Sequence, residues 1–176
     1  LFACLADWIV AAEKRYQRTI PWYIMTSPIN HQATVDFFKA NNYCGLNPRD
    51  IMFFSQGVMP SFDMTNAKVL MAAKGEIATN PDGHGGSLRA LWNSGAINDM
   101  RSRGVEHLSY VQIDNPLARV IDPVFIGLHA FAPDSSGEMS SKMVAKTDPA
   151  EKVGVFVKSR GRVSVVEYSD LPKHLA

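Results

Sequence analysis

Cysteine is scarce in this chain. Its 176 residues hold only Cys4 and Cys44, and neither stands in a CxxC pair or a Cys/His spacing that suits zinc. That argues against a disulfide-stapled secreted scaffold and against a structural zinc module. Two lone thiols fit a reduced, cytoplasmic setting, with a Cys4–Cys44 bridge as the open alternative. An excess of charge of one sign is missing too. The formal net charge is +1, which gives no basis to expect nucleic acid or a membrane surface as partner. Long apolar runs are also lacking. The first ten residues are apolar, but Asp7 interrupts them, no basic stretch precedes them, and they are too short to span a bilayer. The histidines His31, His84, His107, His129 and His174 are scattered, so a histidine metal cluster is not expected. No P-loop, no GxGxxG and no nucleophile elbow can be picked out.

What remains is ordinary globular material, 46% hydrophobic and 20% charged, enough for one domain with a real core. Leu1, Leu5, Trp8, Ile9 and Ala12 share one helical face, which predicts an amphipathic helix at the start. It opens without a capping residue or an initiator Met, which suits a piece of a longer protein. Residues 20–26 form a short continuous apolar run, as a strand buried on both faces does. Ser27-Pro28 fits an N-cap and N1 pair before a helix over 33–40, with Val35 and Phe38 inward. Residues 51–55 predict a second strand, Met59-Pro60-Ser61 a turn, and 69–72 a short extended segment. Helices follow over 88–92 and 96–103, broken by Gly95 and closed by Gly104. Residues 105–113 predict a third strong strand, and 123–131 is ambiguous between helix and strand. Residues 141–145, 153–158 and 163–167 predict antiparallel strands. The sum is an α/β chain with an antiparallel, strand-rich extension.

Two features could carry chemistry. Gln112-Ile113-Asp114-Asn115 puts a carboxylate where the third strand would end, and Asn80-Pro81-Asp82-Gly83-His84-Gly85-Gly86 is a glycine-rich loop opening into a helix. In an open α/β sheet these are the two parts of a nucleotide site. Each has a plainer reading. The glycines suit a tight turn, and taken alone the loop is better read so. Asp114 or Asn115 could equally cap the segment that starts at Pro116. Gln56 ends the second strand before Gly57, and its amide could meet a base edge or be an ordinary polar strand end. Glu167, at the end of the last strand, could accept bonds from sugar hydroxyls or be a solvated carboxylate.

Several segments fall in a telling order. They are Pro21-Trp22-Tyr23-Ile24-Met25-Thr26-Ser27, Phe53-Phe54-Ser55-Gln56-Gly57, the glycine-rich loop, Ser94-Gly95-Ala96, residues 99–104 (Asp-Met-Arg-Ser-Arg-Gly), Asp114-Asn115, Asp122-Pro123-Val124-Phe125-Ile126-Gly127 and Val165-Val166-Glu167-Tyr168-Ser169. Together they resemble the middle of the eukaryotic-type UDP-N-acetylglucosamine pyrophosphorylases, of the wider UDP-sugar pyrophosphorylase family, over about residues 20–171. The resemblance implies a Rossmann-like, GT-A-like nucleotidyltransferase domain with a mixed sheet, of which residues 1–176 are the incomplete central part. It implies a reaction of UTP with N-acetylglucosamine 1-phosphate, giving UDP-N-acetylglucosamine and pyrophosphate with Mg²⁺. Carried across, Gln56 reads the uracil edge, Gly83 and His84 lie against the nucleotide, and Asp114 holds the metal. Asn115, Gly154 and Glu167 meet the sugar. Two departures stand out. The family usually has Asn where His84 stands. Its glycine-rich GxGTR-type loop with a downstream lysine, and its later Asn-containing segment and lysine, have no counterpart here. A UDP-glucose or broad UDP-sugar pyrophosphorylase, and a non-catalytic nucleotide-sugar-binding module, are the alternatives. The oligomeric state is not legible.

Overall fold

A computed structural model describes residues 1–148 and 150–171. The chain divides into two compact units, Leu1–Gly127 and Leu128–Ala176. The first opens with helix α1 (Phe2–Tyr16), which buries Leu5, Ala6, Ile9 and Ala12 on the predicted face. Strand β1 (Trp22–Thr26) follows, then helix α2 (His31–Ala40) and strand β2 (Ile51–Ser55). β1 and β2 run parallel in the register Trp22↔Ile51 to Thr26↔Ser55.

Alternation along the two strands sends side chains to opposite faces. Trp22 and Ile51 pack with Leu5, Ile9 and Leu46 beneath α1, and Phe38 of α2 stacks edge-on against Trp22 and Phe53 at 5.5 and 5.2 Å. Phe38 is wholly buried, which contributes about 1.5–3 kcal/mol. Tyr23, Met25, Met52 and Phe54 pack on the other face with Ala90, Leu91, Ala96 and Met100. Those come from helices α3 (Ser87–Asn93) and α4 (Ala96–Ser102), parted by Gly95 at φ 81. The parallel pair is thus covered by helices on both faces, as its unbroken apolar runs require.

Between β2 and α3 lie short antiparallel pieces. β3 (Val58–Pro60) pairs with β6 (Thr79–Pro81), and between them β4 (Met71–Ala73) pairs with β5 (Glu76–Ile77). The expected turn at Met59-Pro60-Ser61 is therefore corrected: Met59 and Pro60 lie in β3, and the expected segment at 69–72 shifts to β4. Ser27-Pro28 does not cap α2 either. It starts a separate turn, closed by Ser27 N–H donating to Asn30 Oδ1 at 2.7 Å, and Asn30 is the N-cap.

The third strand is the largest correction. Residues 105–112 are assigned to no strand. Val105 and Val111 pack against the two cores, so the apolar signal was real. A ladder also needs a neighbour, and among the described residues none pairs with this segment. Residues 123–131 resolve as helix α5 (Pro123–Phe131), with Asp122 Oδ1 accepting from the N–H of Val124 and Phe125 at 3.1 and 3.3 Å.

In the second unit, residues 141–145 are not a strand. β7 (Val155–Ser159) and β8 (Arg162–Val166) form a hairpin, turned by Arg160 and Gly161 at φ 51 and 80. Positive φ at both central residues is the turn that follows the natural strand twist.

One polar cluster pins α4 to the starting ends of the parallel strands. Arg103 donates to Asp99 at 2.9 Å and to Asp50, just before β2, at 2.6 Å, while Tyr23 O–H donates to Asp99 at 2.6 Å. Burial, then the Asp99 bond, raise the Tyr23 phenol above its ordinary range. Arg103 and Asp99 are about a third exposed, so solvent screening leaves each pair about 1 kcal/mol or less. This cluster lies at the opposite ends of the strands from Gln56, and holds the scaffold rather than the site.

Candidate functional site

At the carboxyl ends of β1 and β2 the chain leaves the ladder. Gln56 N–H still donates to Thr26 O at 2.8 Å, and Asp82 N–H donates to Gly57 O at 3.1 Å. Because β3 and β6 pair directly after these residues, the strand end Gln56-Gly57 and the glycine-rich loop are brought together. Gln56, Gly57 and, from the loop, Asp82 line one cleft of about 320 Å³ with Ser55, Arg89 and Asn93, within the size range of small-molecule sites. Gln56 is half-buried.

The glycines have distinct jobs. Gly83 has φ 64 and ψ −153, a region essentially closed to other residues. Gly57 and Gly86 make room for a side chain: a Cβ on either would run into the Asp82 carboxylate. Asp82 therefore sits as a wedge between the strand end and the loop. Its Oδ1 is buried without a hydrogen-bond partner among the described residues, a costly arrangement that a fold keeps only where the surroundings hold it. The sequence reading missed Asp82. Its signal was the pair Gly57 and Gly86, the second of which belongs to a loop whose glycines, taken alone, read as a tight turn.

His84 is exposed beside this wedge, with Nδ1 2.5 Å from the Tyr110 hydroxyl and the two rings edge-on at 6.0 Å. That contact ties the glycine loop to segment 105–112, which ends in the turn carrying Asp114 and Asn115. Asn115 N–H donates to Gln112 O at 3.2 Å, and both side chains are exposed. Among the described residues the capping alternative for Asp114 and Asn115 finds no side-chain bond of that kind, although Ala118 N–H donates to Asn115 O at 3.1 Å. In the second unit, Gly154 and Glu167 flank the hairpin. A Cβ on Gly154 would lie 2.9 Å from Val165 Cγ1 and 3.5 Å from Glu167 Oε1. Of the predicted residues, Gln56 lines the cleft, Gly83 and His84 lie in the loop that follows Asp82, Asp114 and Asn115 lie at a turn, and Gly154 and Glu167 flank the hairpin.

Among the described residues no group of three or more His, Cys, Asp or Glu side chains is placed to hold a metal, and His174 lies outside them. No helix among them is long and apolar enough to cross a membrane.

Residues 4–176 fit the family described as UTP–glucose-1-phosphate uridylyltransferase. The chain belongs to that family. It is 42% identical over 160 residues to UDP-N-acetylglucosamine diphosphorylase 2 of Arabidopsis thaliana, covering 90% of this chain and 31% of that protein. It is 40% identical over 157 residues to the UDP-N-acetylglucosamine pyrophosphorylase of Saccharomyces cerevisiae, covering 89% and 32%. The crystal structure of the Trypanosoma brucei uridine diphosphate N-acetylglucosamine pyrophosphorylase in complex with inhibitor superposes with a TM-score of 0.79 at 31% identity, over 97% of this chain and 36% of that one. This family member thus spans about a third of the length of the relatives it matches.

Proposed function

We propose that this chain is the base- and sugar-reading part of a uridylyltransferase that joins UTP and N-acetylglucosamine 1-phosphate, giving UDP-N-acetylglucosamine and pyrophosphate. The observation that carries it is the meeting of Gln56-Gly57 with the Asp82–Gly86 loop at the carboxyl ends of a parallel pair, in a chain of this family. A crevice at that end of an α/β sheet is where nucleotides bind. The wider fold in this reading is the Rossmann-like, GT-A-like sheet, in which segment 105–113 gains strand neighbours, and the setting is cytoplasmic.

The sugar phosphate is itself the nucleophile, so the protein needs no covalent group. It aligns the phosphates and offsets their charge. In this assignment the Gln56 amide offers the uracil edge a donor and an acceptor. Gly83 lets the backbone approach the nucleoside, with His84 beside it. Glu167 accepts from sugar hydroxyls, Gly154 leaves the space next to it open, and Asn115 completes the sugar side. Asp114 is the residue for Mg²⁺. An exposed carboxylate on a turn fits a hard cation that takes one or two carboxylates and completes its shell with phosphate oxygens and water. When bound, the ion supplies charge neutralisation at the phosphates.

The family description names glucose 1-phosphate, while the relatives' names give N-acetylglucosamine, so the test offers both sugars. The full-length protein is expected to release pyrophosphate from UTP with N-acetylglucosamine 1-phosphate in preference to glucose 1-phosphate. Residues 1–176 alone, without the GxGTR-type phosphate loop, are expected to show no turnover. Activity of the isolated chain would contradict the division of labour proposed here. An inactive full-length protein that still binds UDP-N-acetylglucosamine would support a binding module instead.

A further inference from the structure

Arg89 is the one cation among the residues that line the cleft. It stands on α3 one turn before Asn93, which lines the cleft with it, so a guanidinium and an amide share one helix face. Among the described residues Arg89 forms no ion pair, hydrogen bond or ring contact. Two nearby arginines are held. Arg101 of α4 lies over the Trp92 ring at 5.9 Å, and Arg103 bridges Asp50 and Asp99. One carboxylate, Asp82, lines the same cleft. It is set between Gly57 and Gly86, where a Cβ on either would strike it, and its Oδ1 is buried. Two opposite charges thus line one cleft without pairing. A guanidinium left unpaired in a cleft wall is suited to an oxyanion.

We propose, resting on the uridylyltransferase reading for the identity of the nucleotide, that Arg89 is a further nucleotide-contacting residue and that its guanidinium takes a phosphate oxygen. A carbonyl oxygen of the base is the poorer partner. The planar fork of Arg matches a phosphate with two parallel N–H···O bonds, and charge-assisted bonds are about twice as strong as neutral ones. A neutral amide such as that of Gln56 suits the base edge. The chain then carries one phosphate contact of its own, separate from any GxGTR-type loop, and its cleft favours a nucleotide over a bare nucleoside.

The test is titration of the full-length protein with uridine and with UMP, without Mg²⁺ so that the metal plays no part. Arg89 is exposed, so replacing it should leave the fold alone. Arg89→Gln is expected to weaken UMP about tenfold, the size of one hydrogen bond to a charged group, and to leave uridine unchanged. Arg101→Gln removes the same charge from α4 and should change neither. An equal loss for uridine and UMP, no loss for UMP, or as large a loss of UMP in Arg101→Gln overturns the proposal. If Arg89→Gln does not fold, Arg89→Lys decides. It keeps the charge without the fork, so UMP should weaken about threefold with uridine unchanged, and any other pattern overturns the proposal. If UMP binding depends on Arg89 in this way but the protein turns over no UTP, the uridylyltransferase reading falls and Arg89 keeps its assignment. If neither uridine nor UMP binds, both fall.

Discussion

Asp114→Asn in the full-length protein is expected to lower kcat by about a hundredfold while leaving uridine binding nearly intact. Losing one electrostatic contact to developing charge costs on the order of 3 kcal/mol, and every 1.4 kcal/mol is a factor of ten. Two features of Asp114 make the split between kcat and binding sharp. It lies in an exposed turn, outside both hydrophobic cores, so the isosteric change should leave the fold alone. It also does not line the cleft of Gln56 and Asp82, so the base should still be held. Steady-state kinetics at saturating Mg²⁺ and UDP titration provide the check. A mutant with near-normal kcat would return Asp114 to the role of an ordinary turn residue.

Gly86→Ala is the second large expectation. Gly86 has φ −80 and ψ −10, which any residue adopts, so backbone strain plays no part. The new methyl would instead meet the Asp82 carboxylate. Gly57 also lies against this carboxylate, which narrows the room Asp82 has to move. Forced overpacking of this kind costs about 1–3 kcal/mol. Gly86→Ala should therefore lower the denaturation midpoint and raise KM for UTP together. In an Asp82→Ala background the same methyl should cost little, since the clash is gone. Denaturant unfolding of the two single variants and the double variant reads the coupling directly. Additive effects would mean that the wedge is not what ties loop to strand end.

What sequence alone reveals here follows from how local each element is. α1, α3 and α4 are set by helical spacing and by Gly95 and Gly104, all within one or two turns of chain. β2 is an apolar run that ends at Gln56-Gly57, and it forms where expected. The β3–β6 pair joins residues some twenty positions apart. Nothing local marks it, and the two prolines at its ends read as turn residues. Segment 105–113 failed for the opposite reason. Its composition is that of a strand, but strand formation depends on a neighbour that composition does not report. At the site, Gln56 and the loop could be named from sequence, whereas their meeting depends on the β3–β6 register. Taken alone, the loop glycines were read as a tight turn. In the folded chain, Gly57 and Gly86 hold space for Asp82, and Gly83 alone is required by its backbone angles. The contact between His84 and Tyr110 carried no signal at all, since it spans 26 residues.

The central claim is that the strand end at Gln56 and the glycine loop make one uridine site. The measurement that bears on it most directly is kcat/KM for UTP and for CTP in the full-length protein and in its Gln56→Ala variant. Uracil and cytosine present different donor and acceptor edges, and a mismatched buried polar group costs about 1–3 kcal/mol. Loss of the Gln56 amide should lower kcat/KM for UTP and narrow its advantage over CTP. An unchanged UTP-to-CTP ratio would show that Gln56 is an ordinary strand end and that the base is read elsewhere.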